Sequence, residues 1–346
     1  MRRSSVITTA LAILLASSSA GFAQQGADFY KGKVVNLLVS TSAGGGYDLL
    51  ARTIARYLPK HLPGVPTIVV RNMPGAGGIV ATNYLVNVAP KDGLTIGSVQ
   101  NNTPFEPLLG TKEADYDPRK INWLGSPSFE TGLLIVWHTI TANTVEDLRQ
   151  KPATVAISGA NSTPAFYSRL LNELLGLKLK TVLGYPGQSE SFMAMERGEV
   201  DGYPSIFWSS LSATKADWIR DHKIKFIVQY GPENEKALGA TPNVRDLLKN
   251  DEDRLLLQAA IAPLALGRPY LMAPGVADDR VKAMRTALAE TFRDAGFLQE
   301  ADRLKLGVNT PRTAEQTEKI VNDAYATPAA VVERLRRIAN GDGAGK

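Results

Sequence analysis

Val34-Val35-Asn36-Leu37-Leu38-Val39-Ser40-Thr41-Ser42-Ala43-Gly44-Gly45-Gly46-Tyr47-Asp48 runs from a β-rich apolar segment straight into three consecutive glycines. Val34 to Ser40 reads as a buried strand, and beyond the glycines Leu50, Ile54 and Leu58 repeat at helical spacing until Pro59 and Pro63 stop the helix. Strand, glycine loop and helix in that order bring bare backbone N–H groups and the positive end of a helix to one point. This is anion-binding architecture. Asp48 stands where a carboxylate caps such a helix, accepting from backbone and not touching an anionic ligand. A plain flexible turn is the competing reading of the glycines.

The same unit recurs downstream. Thr67 to Val70 is a second strand, Ile79 to Val88 a second helix and Thr95 to Val99 a third strand. Alternation of this kind is the mark of a parallel, doubly wound sheet. A second block starts near Thr144, whose spacing to Asp147 matches a capping box for a helix ending at Gln150. Val155 to Ile157 is a strand, and Ala165 to Leu175 a helix opened by Thr163-Pro164 and closed by Gly176. Thr181 to Gly184, Val200 to Tyr203 and Lys225 to Gln229 read as further strands. Val281, Met284, Leu288 and Phe292 line one face of a late helix, and Ala329 to Ala339 forms another. No internal repeat, low-complexity segment or long linker separates the blocks. Two α/β lobes sharing crossing strands are expected, the first of residues 26–138 and 258–346, the second of residues 139–257.

The ends and the composition set the setting. Arg2, Arg3, the apolar run Val6 to Leu15 and the small residues around Gly21-Phe22-Ala23 read as a secretory signal peptide over residues 1–23. Its apolar run is far below the ~20 residues of a membrane span. The expectation is a periplasmic protein, soluble after cleavage. The 346 residues contain no cysteine, which excludes disulfides, thiolate metal sites and a cysteine nucleophile. The formal charge of +5 includes Arg2 and Arg3, so +3 remains beyond the leader. Acids and bases alternate through Glu252-Asp253-Arg254 and Glu333-Arg334-Leu335-Arg336-Arg337, a solvated surface and not a nucleic-acid patch.

Asn72-Met73-Pro74-Gly75-Ala76-Gly77-Gly78 occupies the equivalent place after the second strand. A dinucleotide fingerprint would need glycine where Val80 stands, and neither glycine cluster leads into the Gly-Lys-Ser/Thr of a P-loop. Hydrolase chemistry has little to stand on. Gly187-Gln188-Ser189-Glu190-Ser191 lacks the final glycine of a nucleophile elbow, and His61, His138 and His222 are scattered. No cofactor and no metal is called for.

Phe29-Tyr30-Lys31-Gly32-Lys33, the two glycine loops, Ala89-Pro90-Lys91-Asp92-Gly93, Ser158 to Pro164, Gly184-Tyr185-Pro186-Gly187-Gln188, Gly198-Glu199-Val200-Asp201, Gly267-Arg268-Pro269-Tyr270 and Ala273-Pro274-Gly275-Val276 follow one another in a fixed order. This ordered set resembles the receptor proteins of the tripartite tricarboxylate transporter family. The resemblance implies an α/β, two-lobed type II periplasmic binding protein fold, with a hinge and an interlobe ligand cleft, that closes like a flytrap on its ligand. It implies a monomer that captures a small organic carboxylate, does no chemistry on it and hands it to membrane permease subunits; a membrane sensor is the alternative recipient. Ala43, Gly44, Gly45 and Gly46 with Gly75, Ala76, Gly77 and Gly78 would hold one ligand carboxylate, partly through water. Asn161, Ser162 and Thr163 would face its other end, where the loop's hydroxyls and a helix N-terminus suit a second carboxylate, and Tyr185, Gln188 and Asp201 fall in the shared segments expected at the ligand. The chain departs from the family pattern at Thr41-Ser42, where many members carry proline, and in the aromatic Tyr203 to Trp208. Trp208 and Tyr203 either wall the pocket or belong to the core, and Arg268 either pairs with a ligand carboxylate or with a structural one.

Overall fold

Val35, Leu37 and Val39 alternate along β1 (Val34–Val39) and are fully buried. They meet Leu50, Ile54 and Leu58 from the inner stripe of α1 (Gly46–His61), as a strand period of two and a helix period of 3.6 require when they share a core. The computed structural model describes residues 29–160, 162–185 and 187–341. The leader read at 1–23 and the candidate Asn161 lie outside the described residues.

Pro59 does not stop α1; it lies inside the helix. Near a C-terminal end a proline forfeits one N–H bond, and the Leu62 N–H still closes onto the Leu58 carbonyl at 3.1 Å. The chain continues through β2 (Thr67–Asn72), the short α2 (Ile79–Asn83), which widens into a π-helical turn over Tyr84–Val88, and β3 (Thr95–Ser98). β4 (Asn122–Gly125) and the late β10 (Tyr270–Met272) complete a five-stranded sheet of order β2-β1-β3-β10-β4. β1 pairs in parallel with β2 and β3, whereas β10 is antiparallel to both neighbours.

The second sheet has order β7-β6-β8-β5-β9 and repeats this plan. β5 (Gly132–Trp137) leads to α3 (Val145–Gln150), where the Thr144 side chain accepts from the Asp147 N–H and Asp147 answers with the Thr144 N–H, the expected capping box. Then come β6 (Ala153–Ile157), α4 (Thr163–Leu175), β7 (Leu179–Leu183), α5 (Gln188–Glu196), β8 (Gly202–Phe207), α6 (Trp208–Thr214) and β9 (Ile224–Tyr230). β6 runs parallel to β7 and β8, and β5 is antiparallel to β8 and β9. The parallel sheet expected from sequence is therefore mixed in both halves, one reversed strand lying fourth in each order. Gly176 closes α4 in the left-handed region, as expected. Pro204 lies inside β8 although a central strand has no use for a missing N–H. It is tolerated because the β6–β8 ladder is registered at Val155↔Gly202, before the proline is reached.

The chain divides into two compact units. The first runs up to Thr103 and adds Glu113–Pro127 and Arg268–Glu318; the second holds Pro104–Lys112, Ser128–Gly267 and everything from Lys319. This differs from the division read from sequence at the early boundary, which falls at 127/128 and not 138/139, at both late ones, and in giving Pro104–Lys112 to the second unit. α7 (Asp251–Leu266) places Leu257, Ile261 and Leu264 in the second unit's core, beside Leu170, Leu171 and Leu174 of α4. Val331, Leu335 and Ile338 of the last helix pack there too. In the first unit α8 (Asp278–Thr291) buries Val281, Met284 and Leu288, with Phe292 following, against β1 and α1. The last helix, α9 (Ala329–Asn340), completes the chain's described part.

Candidate functional site

In the first unit, the loops leaving β1, β2 and β3 emerge at the same edge because the three strands are parallel. The order β2-β1-β3 makes this edge a topological switch point, where open α/β sheets leave a crevice beyond the carboxyl ends of their strands. The first loop is exposed from Ser42 to Gly46, and no side chain caps the helix that it opens. The N–H groups at the start of α1 have no partner inside the helix, and its dipole adds positive potential there.

Asp48 does not sit at the cap position; Gly45 does. Its carboxylate, 2 % exposed, reaches back to accept the Gly44 N–H at 2.8 Å, the Asn72 Nδ2 at 2.9 Å and the Arg52 Nε at 3.0 Å. Asn72 also donates to the Thr41 carbonyl at 3.0 Å and accepts from Arg52 Nη2 at 3.1 Å. Burial alone would raise the Asp48 pKa, but the bonds from Arg52, Gly44 and Asn72 outweigh it and lower it from 3.8 to about 2. Asp48 thus accepts from backbone, as expected, and ties the first glycine loop to the end of β2. Its bond uses the Gly44 N–H, which removes that group from the anion donors read from sequence.

The second loop turns through four successive positive φ angles, Gly75 at 146°, Ala76 at 44°, Gly77 at 62° and Gly78 at 99°. Gly78 is required: a Cβ there would lie 2.7 Å from Thr103 Cγ2. Ala76 pays for the same conformation with a Cβ in the left-handed region, the sort of strain that clusters at ligand-holding loops. The third loop carries Gln100, Asn101, Asn102 and Thr103. The Gln100 N–H donates to Ser40 Oγ at 2.9 Å and the Asn101 N–H to Tyr47 Oη at 3.1 Å, which ties the third loop to both ends of the first. Asn102 Nδ2 lies 3.6 Å from where a Gly77 Cβ would be.

Arg268 arrives at this edge from the far end of the sequence. Both terminal nitrogens of its guanidinium lie 3.7 Å from a Cβ position on Gly46, and its Cζ is 5.6 Å from the Tyr47 ring centroid. Nη1 donates to the Leu306 carbonyl at 2.8 Å, and the backbone N–H is held by Ser126 Oγ at 2.9 Å. The first unit therefore brings Ala43 to Gly46, Asp48, Gly75 to Gly78 and Arg268 together. Tyr47, Asn72, Asn101 and Asn102 join them and were not read as site residues. The run of amides directly after a parallel strand was the available signal for the last two.

In the second unit the equivalent edge holds the loops after β6 and β7 and the end of β8. Ser162 is the N-cap of α4: its Oγ accepts the Ala165 N–H at 3.4 Å and donates to the Gly159 carbonyl at 2.7 Å. Its hydroxyl hydrogen is therefore spent inside the loop, a correction to the expectation that this hydroxyl faces a ligand. Thr163 is exposed beside it, Tyr185 is half-buried, and Gln188 is half-buried in the first turn of α5, which no side chain caps. Trp208 lies at this edge, its N–H on the Thr131 carbonyl at 2.9 Å and its ring edge-on to Phe226 at 6.2 Å. Tyr203 is a core residue, 6 % exposed against Phe192. Asp201 is the clear misplacement. It precedes β8, at the opposite edge of the sheet, one strand length or roughly 20 Å away. There its Oδ2 takes both the Thr154 N–H at 2.7 Å and the Thr154 hydroxyl at 2.8 Å, stapling β8 to β6.

In the incomplete nucleophile elbow Ser189 is exposed in the first turn of α5, and Ser191, where the last glycine would stand, is buried and donates to the Gly187 carbonyl at 2.9 Å. Among the described residues no helix is long and apolar enough to cross a membrane.

Residues 50–336 match the model of the tripartite tricarboxylate transporter family receptor. A protein encoded in the gbd 5' region of Cupriavidus necator is 25 % identical over 235 residues, covering 65 % of this chain and 67 % of its own length. Of two further curated relatives the chain spans 57 % and 56 %. Among solved structures, a ligand-free TctC solute-binding protein from Polaromonas superposes with a TM-score of 0.71 at 18 % identity, covering 90 % of this chain and 99 % of that one. MatC from Rhodopseudomonas palustris, solved with bound malate, gives 0.58 at 19 % identity, covering 89 % and 99 %. At such identities these structures speak for the fold, which is that of the periplasmic binding proteins.

Proposed function

Because the chain belongs to the tripartite tricarboxylate transporter receptor family, we propose that it is a periplasmic solute-binding receptor for a small organic carboxylate, delivered to membrane permease subunits without chemical change. One observation carries the reading: the Arg268 guanidinium stands against Gly46, at the uncapped and exposed start of α1. A guanidinium beside the first N–H groups of a helix favours a carboxylate, the one by charge-assisted bonds and the other by aligned dipoles. The strained second loop and Asn102, at the same edge of the sheet, are the further ligand contacts proposed in this unit. In the second unit Thr163, Tyr185, Gln188 and Trp208 are the proposed ligand-facing residues, and the bulky Trp208 favours acids with an apolar body.

The test is a thermal-shift screen of the protein against mono-, di- and tricarboxylates, malate included, with calorimetry on every hit. A ligand of the folded state stabilises it by about 2.7 kcal/mol at a hundredfold excess over Kd. The expected result is a raised Tm with at least one acid, no turnover of that acid, and loss of the shift in Arg268→Ala. A hit whose affinity is the same in folded Arg268→Ala would remove this edge from the site; turnover of a hit would overturn the receptor reading.

A further inference from the structure

Arg169 lies on the second turn of α4 and makes three bonds, none to a carboxylate. Nη1 donates to the Ala160 carbonyl at 2.8 Å, Nε to the Ile338 carbonyl at 2.6 Å and Nη2 to the Ala339 carbonyl at 2.8 Å. The first acceptor belongs to the loop that leads from β6 into α4. The other two are among the last carbonyls of α9, which a helix leaves without internal donors. Gly341 closes α9 in the left-handed region, its N–H on the Arg337 and Ile338 carbonyls, and a Cβ built on it would stand 3.4 Å from Arg169 Nη1. A cation at a helix C-terminus is stabilised by the dipole, so the guanidinium is held firmly on that side. Its remaining arm therefore fixes the loop.

Among its described residues, that loop has few other bonds. Ser158 and Ala160 are exposed, and its internal bonds run from the Ser162 N–H and hydroxyl to the single carbonyl of Gly159. We propose that Arg169 is the positioning residue of the second unit's ligand loop, joining the Ala160 carbonyl to the end of the C-terminal helix so that this helix end is a working part of the site. The proposal rests on the reading of Thr163, at the end of this loop, as ligand-facing. Lysine cannot replace the arrangement, because a single ammonium nitrogen lacks the planar fork that serves a loop carbonyl and two helix carbonyls together.

Hydrogen exchange on the ligand-free full chain tests the tie without knowledge of the ligand. Arg169→Met is expected to raise exchange about tenfold in segments 158–166 and 336–341 together, with β6 and β9 unchanged, and Arg169→Lys to fall between. Unchanged exchange in 158–166, or an equal rise throughout the second unit, would overturn the positioning role. With malate or another acid that stabilises the unaltered protein, Kd is expected to weaken about tenfold in Arg169→Met. An unchanged Kd in the face of raised loop exchange would overturn the ligand part. Should no carboxylate stabilise the unaltered protein, the receptor reading fails instead, and the exchange result still decides what Arg169 does.

Discussion

Gly45 and Gly78 show how differently two glycines of one site are constrained. Gly45 sits at φ −82° and ψ 172°, a conformation open to any residue, and the nearest atom to an added Cβ is 3.9 Å away. Gly45→Val should therefore fold with an unchanged melting temperature while losing roughly a hundredfold in affinity, because its side chain occupies the space over the helix N-terminus. Calorimetry beside a circular-dichroism melt checks this, and retained affinity would take the first loop out of the site. Gly78 has no such freedom, at φ 99° against Thr103. Asp48 makes a prediction about pH. Its folded pKa, about 2, is depressed below the ordinary 3.8, so its stabilisation is present above about pH 4 and is lost as pH falls toward 2. Arg52 is 44 % exposed, which screens the pair and limits the contribution to about 1–2 kcal/mol. Asp48→Asn should lose that amount at pH 7 and flatten the stability profile between pH 4 and 2. A urea titration series showing the same acid limb in both proteins would refute it.

At the scale of elements, the reversed strands β5 and β10 are what the periodicity conveyed least. β10 has three residues, too few for a period-two pattern, and β5 is apolar on both faces, so neither announces its direction. The capping box at Thr144 and the left-handed Gly176 were legible because caps are local chemistry among neighbours in sequence. β8 runs on through Pro204, past the expected end at Tyr203, because the short β6–β8 ladder that admits the proline is a property of the sheet. β5 also carries a packing test. A Cβ on Gly132 would come within 2.1 Å of the Tyr230 ring, whose hydroxyl is pinned to the Pro204 carbonyl at 2.8 Å. Gly132→Ala is expected to cost about 1–3 kcal/mol by overpacking, read from the urea midpoint. A neutral result would mean that the ring is free to move.

For the whole molecule, each unit builds its own core around a five-stranded sheet of the same plan, three parallel strands first, then a reversed one. The sequence by itself determined the α/β class, the two-block organisation, the family and the glycine loops, because these rest on periodicity, turn chemistry and short ordered motifs. Tertiary structure alone decided which distant residues share an edge. Strand direction sent Asp201 to the far edge of its sheet and brought Arg268 to Gly46, and core packing placed α9 beside α4, where Arg169 meets it. Local patterns record what a residue does to its neighbours in the chain. Direction, register and the return of late segments are set by burial summed over the whole sheet, which no short stretch of sequence contains.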